Sequence, residues 1–183
     1  MLKIKIPSFA DILPPVRHLC EAAATGISTL IIDHLRVKNS SSAPRNGFPK
    51  SNYWAKAAES VTTKVADRSA TVSVEKEGAA LHYHGDTVSP KNKALAIPVD
   101  PIVADIWPSE YSRPLAKVAN KKSGKAFLID QETGKFLYLL LPHATIPADS
   151  SVLPADNAIL AAAESACFSA IKAYQPNERK TKP

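Results

Sequence analysis

The chain has 183 residues, 45% of them apolar and 22% charged, values that fit one folded domain with a core and exclude wholesale disorder. Its 23 Lys and Arg against 17 Asp and Glu leave a charge of +6, which permits contact with nucleic acid or an acidic partner without requiring either. No apolar run approaches the roughly 20 residues of a membrane-spanning helix, the longest being Phe136 to Pro142, so no membrane partner is expected.

Met1-Leu2-Lys3-Ile4-Lys5-Ile6-Pro7 alternates apolar and basic residues and lacks the continuous apolar core of a secretory signal, so no export is expected. From Val16 onward, Val16, Leu19, Cys20, Ala23, Ile27, Leu30, Ile31 and Leu35 recur at spacings of three and four, one buried face of a helix that Pro14 and Pro15 lead into. Lys38 to Gly47, rich in Asn, Ser, Pro and Gly, predicts an end to that helix and an exposed loop over about 38–50. A short helix over Ser51 to Ser60 should turn Tyr53, Trp54, Ala57 and Ala58 inward.

Strands follow. Val61, Thr63 and Val65 alternate, Asp67-Arg68 turns the chain, and Ala70, Val72 and Val74 alternate again, the pattern of an antiparallel hairpin. A second two-strand signal joins Thr87-Val88 to Ala94 through Val99 across the basic, turn-rich Ser89 to Lys93. The third and clearest pairs Lys125 to Ile129 with Lys135 to Leu141 around Asp130 to Gly134. A last helix runs from about Pro154 to Tyr174 with Ile159, Leu160, Ala163, Cys167, Ala170, Ile171 and Tyr174 on its buried stripe, and 175–183 is expected to be a flexible basic tail. The expected fold is therefore one α+β domain over 1–174: an antiparallel sheet built from hairpins and packed by an N-terminal and a C-terminal amphipathic helix. Cys20 and Cys167 are too few and too distant for a disulfide framework and are expected as reduced, buried thiols in the two long helices.

Chemistry-bearing patterns are sparse. The sequence holds no phosphate-binding Gly-rich loop, no Cys-pair zinc spacing and no nucleophile elbow. His82 and His84, two apart on an expected strand, would share a face and reach toward Asp86, but a metal site needs three or four converging ligands, so no metal or other cofactor and no catalytic residue is assigned. Basic residues gather instead at Lys91 and Lys93, and at Arg113, Lys117, Lys121, Lys122 and Lys125, with no acidic residue between Tyr111 and Ile129. Those lysines reach phosphates or an acidic neighbour only if they are more than a solvated loop. Trp107, in the Pro-bounded stretch Pro101 to Pro108, suits an interface anchor better than Tyr53 and Trp54, which the helix pattern places in the core.

The run Asn52 to Val61 resembles the aromatic helix that leads into the first hairpin of Mu-like phage virion morphogenesis proteins. The likeness continues in order through Gly78 to Leu81, His84-Gly85-Asp86-Thr87-Val88, a basic loop, Leu95-Ala96-Ile97-Pro98-Val99, and Asp149 to Asp156 before the final helix. It covers most of Asn52 to Tyr174, whereas residues 1–50 share little beyond one amphipathic helix. Where the family has paired glycines this chain has His84-Gly85, so the first position lacks glycine's backbone freedom. The resemblance implies a non-enzymatic structural protein of a tailed bacteriophage virion, made in the host cytoplasm and placed in the neck or tail. There it would serve as a tail terminator, in tail completion or in head-tail joining during virion assembly. Its subunits would close a ring, a homohexamer by that resemblance, between the head-completion or connector protein and the tail tube, with non-specific contact to packaged DNA. The alternative reading is a nucleic-acid-binding module without sequence preference.

Overall fold

The structure, a computed structural model, describes residues 13–45, 47–91, 93–119 and 124–174. The expected tail at 175–183 and the basic residues Lys121 and Lys122 lie outside the described residues. The fold is α+β, with four α-helices and antiparallel strands among the described residues. Where the sequence suggests one domain, these residues group into two compact units, one from 13–38, 53–79 and 151–174, the other from 39–52 and 80–150. No described helix is long and apolar enough to cross a membrane.

The first unit is built on α1 (Val16–Ser41), which starts where the Pro15 carbonyl takes the N–H groups of His18 and Leu19. Its Ile31 and Leu35 are buried against Ala57 and Ala58 of α2 (Tyr53–Glu59). Trp54 and the valines Val61, Val72 and Val74 pack around that cluster. The valines come from the expected hairpin, β1 (Val61–Val65) paired antiparallel with β2 (Ala70–Val74) in the register Val61↔Val74 and Val65↔Ala70. Alternation thus puts the valines on one face, and α1 and α2 cover it. α1 runs to Ser41, past the expected break at Lys38. Lys38 Nζ donates to Ser151 Oγ at 2.8 Å and lies over the Trp54 ring, so tertiary contacts outweigh the weak helix propensity of Asn39-Ser40-Ser41. In the second unit, Lys50 Nζ donates to the Ser40 carbonyl at 2.9 Å, a cation at a helix C-terminus.

The last helix, α4 (Asp156–Ala173), crosses α1 in this same unit at a seam of small residues. A Cβ placed on Gly26 would stand 2.7 Å from the Ala162 carbonyl oxygen and 2.8 Å from Ala166 Cβ, so the two backbones approach as closely as they do only because position 26 has no side chain. Cys167 Sγ faces the Leu19 carbonyl at 3.5 Å, and both cysteines are half-buried free thiols rather than buried ones. Leu160 corrects the expected stripe: it is 60% exposed, as is Phe168 at 63%, while Ile159, Ala163, Cys167, Ala170 and Ile171 are half-buried. Ile159 and Leu160 are neighbours about 100° apart on a helix, and the seam accepts only the first.

α3 (Ala79–His84) lies in the second unit from position 80 onward, and Gly85 ends it at φ +70, so the left-handed residue is the glycine and His84 stays helical. The expected pairing of Thr87-Val88 with Ala94 through Val99 does not form. β3 (Asp86–Val88) pairs with β8 (Ala144–Ile146), and Thr87 and Thr145 share a hydroxyl hydrogen bond of 3.1 Å. β4 (Leu95–Pro98) pairs with β7 (Phe136–Leu141), which sets Leu95 and Ile97 opposite Leu141 and Leu139. Apolar cross-strand partners decide the register here, and the three-residue β3 has too few to compete. The expected hairpin of β6 (Ala126–Asp130) with β7 is present, with Gly134 at φ +69 in its turn and a register shift at Leu128/Ile129. β5 (Leu115–Ala119), expected as part of a solvated basic loop, is a strand paired with β6, completing the order β4-β7-β6-β5.

One face of this sheet is covered by the chain that follows β4. Asp100 Oδ1 takes the Ile102 N–H at 2.9 Å and starts a 3-10 turn over Pro101–Val103. Val103 is buried against Leu137 and Tyr138, with Ala96, Tyr111, Leu115 and Leu128 around them. The buried Tyr138 hydroxyl donates to the Ile106 carbonyl at 2.8 Å, which ties that segment down. The outer edge of β4 is closed to further pairing. Val99 N–H donates to the Leu137 carbonyl, so by alternation Ala96 and Pro98 face away from β7. Pro98 has no N–H to offer there, and Arg45 Nη1 donates to its carbonyl at 3.2 Å.

Candidate functional site

His82 and His84 are not brought together on one face. They sit on α3 rather than on a strand, and two residues apart on a helix project about 200° from each other, so the shared face that the sequence suggested is lost. Tyr83 and His84 stack edge to face, and Asp86 Oδ1 is occupied by the Thr87 N–H. No group of three or more His, Cys, Asp or Glu among the described residues is placed to hold a metal ion.

The described basic candidates all fall in the second unit but differ in state. Lys91 and Lys93 are exposed in the connection from β3 to β4, and Lys117 is exposed on the edge strand β5. Lys125 is exposed just before β6. Arg113, by contrast, is engaged with carboxylates. Its Nη1 donates to Asp130 Oδ2 at 3.0 Å and its Nε lies 3.8 Å from Glu132 Oε2.

Asp130 is a hub that sequence reading missed. It is 1% exposed, yet all its acceptor capacity is used: Oδ2 receives the Tyr111 hydroxyl at 2.8 Å as well as Arg113, and Oδ1 receives the Glu132 and Thr133 N–H groups at 2.8 and 3.2 Å. Burial pushes its carboxyl up, but these hydrogen bonds and the guanidinium charge outweigh that and hold it below the usual aspartate value. The hydrogen bond to Asp130, with burial, raises the Tyr111 hydroxyl above 10.0. The network pins the β6–β7 turn to the start of β5. A visible signal existed, since Asp followed by two free turn N–H groups is the pattern of an Asx turn.

Trp107 is the most exposed large apolar residue of the described chain, at 68%. Its backbone is nonetheless held, because Glu110 Oε2 accepts the Trp107 N–H at 3.2 Å and the Glu110 N–H returns to the Trp107 carbonyl at 2.9 Å. With Ile106, Pro108 and Asp105 it borders an open cleft of about 330 Å³ whose floor is Ala96, Pro98 and Tyr138. Ile102 and Ile106 are also exposed, at 57% and 37%, so one short segment shows three large apolar side chains to solvent. No family model, curated protein or solved structure matches the chain.

Proposed function

We propose that this chain is a structural subunit of a tailed-phage virion that closes a ring at the neck or tail end, as a tail terminator or tail-completion protein. The virion placement rests on the ordered sequence resemblance from Asn52 to Tyr174. The observation that carries the assembly reading is the Pro101 to Pro108 segment. It presents Ile102, Ile106 and Trp107 outward on a backbone fixed by the Asp100 cap, the buried Val103 and the Tyr138 hydroxyl. A rigid, exposed aromatic anchor is what a protein contact uses, since little conformational entropy is lost when it is covered. The surrounding chain agrees in kind: ten apolar side chains are buried among the described residues, four of them alanine, against ten large apolar ones that are exposed. Such a balance suits a subunit whose remaining apolar surface is covered by neighbours.

The test is disruption of the gene in its phage or prophage, with particles viewed by negative stain. Full heads and tails that remain unjoined, or tails of irregular length, are the expected result; normal infectious particles would refute the reading. The nucleic-acid alternative is favoured by the exposed Lys91, Lys93 and Lys117. It predicts DNA affinity without sequence preference, falling with salt at a log-log slope of about −0.9 per phosphate neutralised.

A further inference from the structure

The two edges of the four-stranded sheet differ in charge: Arg45 is held by the Pro98 carbonyl at the β4 edge, but the segment that borders the cleft there is acidic, whereas the β5 edge is basic. At the β4 end lies the cleft with Trp107 on its rim, and the chain from Asp100 to Ser112 around it holds Asp100, Asp105 and Glu110 with no Lys or Arg. Asp100 and Glu110 are used by backbone N–H groups, whereas the Asp105 carboxylate has no hydrogen-bond or ion-pair partner among the described residues. At the β5 end the chain from Ser112 to Ile129 is free of acids, and Lys117 is exposed and has no partner among the described residues. β5 is also the outermost strand of the sheet among the described residues. Gln131 N–H donates to the Pro114 carbonyl, so by alternation Lys117 and Ala119 turn their backbone groups away from β6.

We infer that the Trp107 cleft of one copy receives the lysine-bearing β5 edge of a second copy, so that successive subunits join head to tail. Three observations select this occupant. A lysine entering the cleft meets both an unpaired carboxylate and an aromatic face, the two groups that stabilise an ammonium. A nucleic acid is disfavoured there, because the same carboxylates repel phosphate. A symmetric contact through two β5 edges is disfavoured as well, because it would set lysine against lysine, and like charges facing each other are costly. The complementary patches lie at opposite edges of one sheet, three strand spacings or about 14 Å apart, so each copy uses both at once. When the cleft of each copy takes the β5 edge of the next, the contact is heterologous and generates a ring when its rotation closes.

This inference rests on the ring reading, and its test separates the two. The full-length chain is followed by sedimentation velocity and native mass spectrometry over a concentration series, with circular dichroism as a control for folding. Asp105→Lys and Lys117→Glu should each raise the concentration needed for assembly about tenfold or more, with Trp107→Ala at least as severe. The double variant Asp105→Lys with Lys117→Glu, in which the charges have changed places, should assemble again. Trp107 emission should shift to shorter wavelength on assembly, a change that is absent in Trp107→Phe. Assembly undisturbed by both single reversals would overturn this contact while leaving the ring. A monomer at every concentration, combined with particles that fail only in Asp105→Lys, would give the cleft to a different virion protein and overturn the second-copy assignment. A monomer that is also monomeric inside purified particles would overturn both.

Discussion

Arg113 and Asp130 stand 17 positions apart in the chain, yet the guanidinium Nη1 of one lies 3.0 Å from the carboxylate Oδ2 of the other, an oxygen that the Tyr111 hydroxyl also reaches. Asp130 is 1% exposed, so its charge is tolerated only while its partners are present. Asp130→Ala orphans the Tyr111 hydroxyl, Arg113 and two turn N–H groups together. The expected result is a fall in melting temperature of roughly 5 °C or more, with Tyr111→Phe giving a smaller fall because it removes one of four donors. Differential scanning calorimetry of the two variants checks the order.

The same carboxylate makes stability sensitive to acid. Its folded-state pKa lies below the ordinary value, so its stabilisation is complete above the unfolded pKa of about 3.9 and is lost as pH falls through the lower folded value. The expected outcome is a melting temperature that drops below about pH 4, with Asp130→Asn flattening that part of the profile. A wild-type and an Asp130→Asn curve of identical shape between pH 2 and 5 would show that other carboxylates govern acid unfolding.

At the crossing of α1 and α4, magnitudes of opposite sign compete. Replacing Gly26 with Ala gains about 1 kcal/mol of helix propensity. The added Cβ, however, would meet the Ala162 carbonyl oxygen at 2.7 Å and Ala166 Cβ at 2.8 Å, and neither is the movable end of a long side chain. Separating two packed helices costs about 1–3 kcal/mol, so Gly26→Ala is expected to be neutral to destabilising and Gly26→Val clearly destabilising. Urea unfolding measures both. A Gly26→Ala chain more stable by a full kcal/mol would mean that the helices part freely.

These features were unequally legible in the sequence. The α1 periodicity, the β1–β2 valines and the hairpin closed by Gly134 were readable because each is set by neighbours within a few residues. β5 was not, since Ala116, Lys117 and Ala119 have no strong strand preference and Leu115 packs against the cluster of Val103, Leu137 and Tyr138, which lie elsewhere in the chain. The partners of β3 and β4 were hidden for the same reason: the strands they join, β8 and β7, lie some 40 to 60 positions downstream. Of the candidate surface, Trp107 was visible from its Pro-bounded setting. The distinction between an engaged Arg113 and a Lys117 without a partner among the described residues required the position of Asp130.

Leu160 shows how a one-residue difference reverses an expectation. Counted on the apolar stripe of α4, it should not tolerate a charge, and Leu160→Asp should prevent folding, because an unpaired carboxylate in a core must be desolvated or protonated. In the structure the side chain is 60% exposed, on the side of the helix away from the seam that Ala162 and Ala166 make with Gly26. The remaining terms are small and opposed. Asp is a weaker helix former than Leu by about 0.5 kcal/mol, whereas an acidic side chain at position 160, the fifth residue of the helix, gains at most roughly 0.3 kcal/mol from a helix dipole that fades beyond the first turn. Leu160→Asp is therefore expected to change stability by less than about 1 kcal/mol, while Ala166→Asp, one turn and a half further along and on the seam itself, should unfold the chain or cost several times more. Thermal unfolding of the two variants side by side decides it. A Leu160→Asp chain that fails to fold, beside a stable Ala166→Asp chain, would mean that α4 is turned with its other face inward.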